Sequence, residues 1–154
     1  MDDIDRQIVA ALRADGRSTY SELGRTVGLS AASVHDRVRR LEESGTIIGY
    51  AATVSPAALG LGVCALISIH QTDSAERGEV VEALRDIVAI EDCWSVAGDE
   101  AFVVKVRVPD MEHLEHVLAE LSHIPGVART RTTVVLTTKW EGRPAGIGAL
   151  PAPT

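Results

Sequence analysis

The sequence predicts an α+β protein in two parts, three helices followed by a β-α-β-β-α-β unit. Three observations predict it. Apolar residues recur at helical spacing through the first fifty residues, broken by a tight glycine-containing turn. From Val63 onward, short β-branched runs and two helical periods follow one another in the order of a split-βαβ, or ferredoxin-like, fold. Between the two parts lie Ser55-Pro56 and Gly60-Leu61-Gly62, which are turn signals and mark a junction.

The first helix carries Ile4, Ile8, Val9 and Leu12 on one face and ends at Asp15-Gly16. Ser18-Thr19-Tyr20-Ser21 opens the second, with Leu23 and Val27 inward and Gly28 as its stop. Leu29 is the apolar residue of the turn. Ser30 is the N-cap of the third helix, whose inward positions are Val34, Val38 and Leu41, and Ser44-Gly45 ends it. Ile47–Val54 has the β-branched character of a strand. Strands are then expected over Val63–His70, Ile90–Ala97, Phe102–Val108 and Val127–Lys139, with Gly98-Asp99 as a hairpin signal. Helices are expected over Ser74–Val88 and Met111–Ser122, the latter capped by Asp110. The chain thus divides into a helix-turn-helix domain (1–45), a linker with a β-strand (46–62), a ferredoxin-like domain (63–140) and a flexible Gly/Ala/Pro-rich tail (141–154). Two helices cover one face of such a sheet. The other face also carries apolar residues, and a second copy of the chain is the simplest cover.

Composition narrows the function. At 154 residues and 45% hydrophobic, the chain has enough apolar content for a folded core. No apolar run is long enough to span a bilayer, and the acidic start is unlike a signal peptide, so a cytoplasmic location without membrane contact is expected. Cys64 and Cys93 lie in apolar runs and read as small buried hydrophobes rather than a disulfide. The net charge of −7 is unevenly spread: residues 1–50 hold seven Arg against eight Asp and Glu, so the acidity belongs to the second part. Within Ser30–Leu41, Arg37, Arg39 and Arg40 face one acid, Asp36. DNA affinity follows such a local patch, not the total.

Two short helices joined by Gly28-Leu29-Ser30 form a helix-turn-helix signature, whose second helix reads a DNA groove. With Val34, Val38 and Leu41 inward, Ser33, His35, Asp36, Arg39 and Arg40 fall on the opposite half. Ser30 and Ala31 sit at the N-terminal end, where N–H groups can meet a phosphate. Arg39 and Arg40 are the expected contacts, to phosphate or guanine, and His35 and Ser33 are candidates for base edges. Arg37 borders the core face and can cover it with its methylenes.

Several segments resemble the Lrp/AsnC family of bacterial and archaeal regulators. They are Leu12–Arg17, Glu22-Leu23, Val27–Ser30, Val38–Glu42, Gly45–Tyr50 and Pro125-Gly126-Val127. The resemblance covers almost the whole chain, to about Lys139. It implies a winged helix-turn-helix followed by a ferredoxin-like effector domain. It also implies homodimers that assemble into tetramers or octamers, and amino acids as effectors, bound near contacts between dimers at the hairpin joining the second and third strands of the sheet. Carried over, that hairpin is Ser95, Val96, Ala97, Gly98, Asp99, Glu100 and Ala101, with Gly98 matching the family's glycine. Turn N–H groups can hold an α-carboxylate, and Asp99 or Glu100 an α-ammonium. Thr130, Thr132 and Thr133 add hydroxyls from the last strand. Many members carry Asp where this chain has Ala101. Either Glu100 substitutes, or the effector preference differs, or no effector binds.

No nucleophile–base pair or phosphate-binding glycine loop is identifiable, so no catalytic residue and no cofactor is expected. His113 and His116 with Glu112, Glu115 and Glu120 point away from the Leu114/Leu118/Leu121 face and read as a solvated face, not a metal site. Trp94 and Trp140 read as packing or interface residues. The sequence therefore describes a DNA-binding regulator whose small-molecule effector shifts an equilibrium between assemblies. Two other readings stay open: a subunit like those of sirohaem decarboxylase, which share this architecture, and an architectural DNA-binding protein without an effector. The Arg37/Arg39/Arg40 helix argues for DNA.

Overall fold

The computed structural model describes residues 1–72 and 76–143. It contains two compact units, Met1–Thr53 with the described residues from Trp140, and Val54–Lys139. The expected tail lies, from residue 144, outside the described residues, as does the start expected for the helix at Ser74.

The first unit holds α1 (Asp3–Ala14), α2 (Tyr20–Val27) and α3 (Ala31–Glu43). Each helix start is capped by a side-chain oxygen. Asp2 and Asp5 form a reciprocal capping box on α1, Thr19 and Glu22 another on α2, and Ser30 accepts from the Ser33 N–H on α3. These bonds satisfy donors that a helix cannot satisfy internally. Ile8, Leu23, Val34, Val38 and Leu41 form the buried core, one stripe from each helix.

The second unit holds β1 (Val63–Gln71), α4 (Arg77–Arg85), β2 (Ile90–Ser95), β3 (Phe102–Val108), α5 (Met111–His123) and β4 (Val127–Val135). The four strands make one sheet in the order β2-β3-β1-β4, with every neighbouring pair antiparallel. This is the expected ferredoxin-like topology. Ala65, Ile67 and Ile69 alternate along β1 with Phe102, Val104 and Val106 opposite on β3, and all face the helices. Val80 and Leu84 of α4 and Leu114, Val117 and Leu121 of α5 close the core. Asp110 caps α5, and its carboxyl is held below the usual range by the backbone N–H and then the ring of His113.

The opposite face of the sheet has no helix. Leu66, Val103 and Trp94 lie on it, flanked by an ionic cluster. Lys105 Nζ is 2.6 Å from Glu91 Oε2, and Arg107 Nε donates to Glu91 Oε1 at 2.9 Å.

Five expectations are corrected. No strand forms between residues 46 and 62; the stretch is extended, then makes a short 3-10 turn at Ala57–Leu59. A strand needs a ladder partner, and all four strands of the sheet belong to the other unit. The wing implied by the resemblance is for the same reason not a strand in this chain. β4 stops at Val135, not Lys139, because its partner β1 begins only at Val63 and pairs Cys64 with Val135. α4 ends at Arg85, not Val88, since the Ile90 N–H bonds back to the Ile87 carbonyl to turn the chain into β2. Cys64 is buried as expected, but Cys93 is exposed, because β2 is an edge strand whose residues after Ile90 are all exposed.

Truncating a fully buried central residue should be costly. Ile67→Ala is expected to lower unfolding free energy by about 2–5 kcal/mol, and Cys93→Ala to change it by less than about 0.5 kcal/mol. Urea titration of the full chain measures both.

Candidate nucleic-acid and effector sites

The geometry of α2, its turn and α3 is set by two glycines. Gly28 ends α2 at φ 73°, a left-handed conformation that costs glycine little. Gly24 lies inside α2, and a Cβ there would sit 2.5 Å from the Leu29 carbonyl oxygen. Only glycine lets the turn close this tightly onto the helix. The Leu29 N–H then donates to the Gly24 carbonyl at 2.9 Å, and Leu29 packs against the core. In the sequence Gly24 shows only as an isolated glycine within a helical period.

α3 leaves this turn with its inner stripe buried and its outer residues exposed. Ser30, Ala31, Ser33, His35, Asp36, Arg39 and Arg40 are all exposed, as predicted. The Ser30 and Ser33 hydroxyl oxygens are 2.9 Å apart. The His35 ring packs edge-on to Tyr20, with centroids 5.2 Å apart. His35 Nδ1 lies 3.5 Å from Asp36 Oδ1, and Arg39 Nε 3.4 Å from Glu43 Oε1. Such exposed pairs are weak and easily exchanged for a phosphate.

Arg37 belongs to a different device. Its Nη1 donates to Asp2 Oδ2 at 2.6 Å and to Asp5 Oδ1 at 2.7 Å, joining α3 to the start of α1. The bond from Arg37 is the largest cause holding the Asp2 carboxyl below its ordinary value, and the two carboxylates raise Arg37. The side chain was expected only to cover the core edge with its methylenes. Its partners had a sequence signal: acids at i and i+3 opening α1. At the other end of α3, the Tyr50 hydroxyl donates to Glu42 Oε1 at 2.9 Å. Desolvation, then that carboxylate, pushes the Tyr50 hydroxyl up to about 12.

The second candidate site is the β2–β3 hairpin. The Val96 N–H donates to the Ala101 carbonyl at 3.2 Å and closes it. Gly98 takes φ 137°, which L side chains rarely adopt. Ala101 is 7% exposed, sits in the hydrophobic core and donates its N–H to the Ile69 carbonyl at 2.8 Å. An acid at that position would enter the core; the acids at the exposed tip are Asp99 and Glu100. The threonines do not converge. Thr130 and Thr132 pair with Ile69 and Ile67 and face the helices, whereas Thr133 pairs with Leu66 and faces the open side. The hairpin instead meets two basic residues of β4 that the sequence reading passed over. Arg131 Nη2 donates to Glu100 Oε1 at 2.8 Å, and Arg129 lies beside His70 below the tip. Their signal was two arginines at every second position of one strand, hence on one face.

Among the described residues, no cluster of three or more His, Cys, Asp or Glu side chains has the arrangement of a metal site, and no helix is long and apolar enough to cross a membrane. His113 Nδ1 is 2.7 Å from Asp110 Oδ1 and serves the α5 cap.

Comparison with known proteins places both sites in context. Residues 1–42 match the AsnC-type helix-turn-helix domain, and residues 63–145 match the Lrp/AsnC ligand binding domain. The chain is 41% identical over 143 residues to the HTH-type transcriptional regulator LrpA of Mycobacterium tuberculosis, covering 93% of this chain and 95% of that protein. It is 39% identical over 141 residues to the leucine-responsive regulatory protein of Escherichia coli K12, covering 88% and 85%. Among solved structures, the feast or famine regulatory protein of M. tuberculosis, complexed with L-methionine, superposes with a TM-score of 0.88 at 41% identity over 94% of this chain and 97% of that one.

Two outcomes follow from the geometry around α3. Gly24→Val should disorder the turn and destabilise the first unit far more than Gly78→Ala, whose Cβ would meet open space; circular dichroism melting compares them. Asp2 titrates lower when folded, so its contribution is full above the ordinary carboxylate value and is lost as pH falls through the lower folded value. Arg37→Gln should therefore make the loss of stability below about pH 4 shallower, as measured by urea midpoints across an acid series.

Proposed function

This chain belongs to the Lrp/AsnC family of transcription regulators, and on that premise we propose how its two sites work. α3 enters the major groove of double-stranded DNA. Arg39 and Arg40 meet phosphate or guanine, Ser33 and His35 face base edges, and the N–H groups after Ser30 and Ala31 approach a phosphate. Asp36 stands among these contacts and disfavours phosphate, so its place is toward a base donor such as the cytosine amino group. The observation that carries the reading is the exposed outer face of α3, braced from behind by Arg37 and presented by the Gly24–Leu29 contact.

The protein acts as a homo-oligomer, with the helix-free sheet face around Leu66, Val103 and Trp94 meeting a second copy. Tetramers or octamers place several α3 helices along one DNA. It works in the cytoplasm, where that DNA is, and has no catalytic step. An α-amino acid binds at the Ser95–Ala101 hairpin and shifts the balance between assemblies. The methionine complex of the M. tuberculosis relative supports this class of effector. Glu100 takes the acidic role that Ala101 does not.

Fluorescence anisotropy on upstream DNA fragments tests the DNA reading. Binding should weaken steeply with salt, and Arg39→Gln or Arg40→Gln should each lower affinity and reduce the salt slope by about one. A folded protein that binds no upstream fragment at low salt refutes it. A thermal-shift screen of the twenty amino acids tests the effector reading: one or a few should raise the melting temperature in proportion to the logarithm of concentration. Silence for all twenty refutes the effector half and leaves the DNA half standing.

A further inference from the structure

The tip of the β2–β3 hairpin is tied across β1 to the far edge strand. Two contacts tie it to β1, the Ala101 N–H to the Ile69 carbonyl at 2.8 Å and the Asp99 carbonyl with His70 Nδ1 at 3.1 Å, and one crosses to β4, Glu100 Oε1 with Arg131 Nη2 at 2.8 Å. His70 Nδ1 also lies 3.4 Å from Arg129 Nη2. One ring nitrogen cannot donate to a carbonyl and accept from a guanidinium at once. The shorter contact, to an oxygen, places the proton on Nδ1 and leaves no acceptor there for Arg129.

The Glu100–Arg131 pair is lopsided. The Glu100 side chain is 24% exposed and that of Arg131 71%. A guanidinium carries five N–H donors in a planar fork, and Glu100 engages it through one nitrogen. Beside it, Gly98 presents bare backbone with no Cβ to block an approach. The site thus holds a sheltered carboxylate and an open guanidinium in direct contact, next to turn amides.

We propose that Arg131, through its pairing with Glu100, is a specificity-determining residue of the effector site and selects ligands carrying both an α-carboxylate and an α-ammonium. This rests on the amino-acid reading above. A zwitterion entering beside the pair gives its carboxylate to Arg131 and its ammonium to Glu100, with Asp99 adjacent. Both protein charges end paired, and the net charge of the site is unchanged. Arg131 is largely exposed, so its guanidinium turns from Glu100 to the ligand carboxylate at little cost, while the ligand ammonium takes its place at the sheltered Glu100. An amine or a carboxylic acid alone satisfies one partner and leaves the other stripped of its ion pair.

Isothermal titration of the full chain tests this, using the L-amino acids that shift its melting temperature, each beside its α-amide and its N-acetyl form. Wild type should prefer the free amino acid over either derivative by about tenfold or more. Arg131→Gln should weaken the free amino acid by about tenfold while leaving the amide nearly unchanged, so that acid-to-amide discrimination collapses. Arg131→Lys keeps the charge without the fork and should fall between. Glu100→Gln should erase discrimination against the N-acetyl form. The double exchange Glu100→Arg with Arg131→Glu rebuilds a hairpin clamp of inverted polarity. A purely structural pair would regain binding in it, whereas the proposal expects binding to stay lost. Unchanged acid-to-amide discrimination in Arg131→Gln, or recovery in the double exchange, overturns the proposal alone. A wild-type chain that binds no amino acid overturns the effector reading and this proposal with it.

Discussion

Everything in the second unit hangs on one strand. β1 bonds to β3 on one side and β4 on the other, neither its neighbour in sequence, and it carries Ala65, Ile67 and Ile69 into the centre of the core. The sheet cannot form until the chain has run past both helices and returned twice. That makes the unit a single cooperative object, because β2 and β4 have no other place to pair. It also explains how a hairpin at one edge and an arginine at the other come to touch. Only β1 separates them, and the Glu100–Arg131 pair closes over that one strand.

The helices and strands were legible because their apolar periods are clean. Val34, Val38 and Leu41 give the inner face of α3 by spacing alone, and Ser30 and Asp110 announce their caps. Alternation in Val63–His70 and Phe102–Val108 shows which residues enter the core. Features that depend on contact between distant segments were not legible. Spacing puts Arg37 at the core border and Arg39 and Arg40 outward, but it does not pair Arg37 with two carboxylates more than thirty residues away while the others stay exposed. Gly24 matters because of an oxygen five residues later, and Arg131 because of an acid thirty-one residues earlier. Position 47–54 misled for a related reason: β-branched side chains allow a strand, but pairing makes one.

Charge repeats that lesson at a larger scale. A net charge of −7 says little about DNA affinity, because affinity follows a local patch, and the patch proposed here is one face of one helix. Even the local count overstates that face, since Arg37 is spent on Asp2 and Asp5. The proposed surface holds Arg39 and Arg40 against Asp36 and Glu43, with hydroxyls and a histidine between them. On such a face each arginine carries a large share of the phosphate attraction, and short-range fit to base edges carries the rest.

The Arg37 bonds have a practical side. Asp2 is at once the cap of α1, the partner of Arg37 and the second residue of the chain, and its own N–H is held by Asp5 Oδ2 at 3.1 Å. Whatever disturbs Asp2 therefore acts twice: it uncaps α1 and loosens Arg37, so a label or substitution placed against Asp2 is felt at α3.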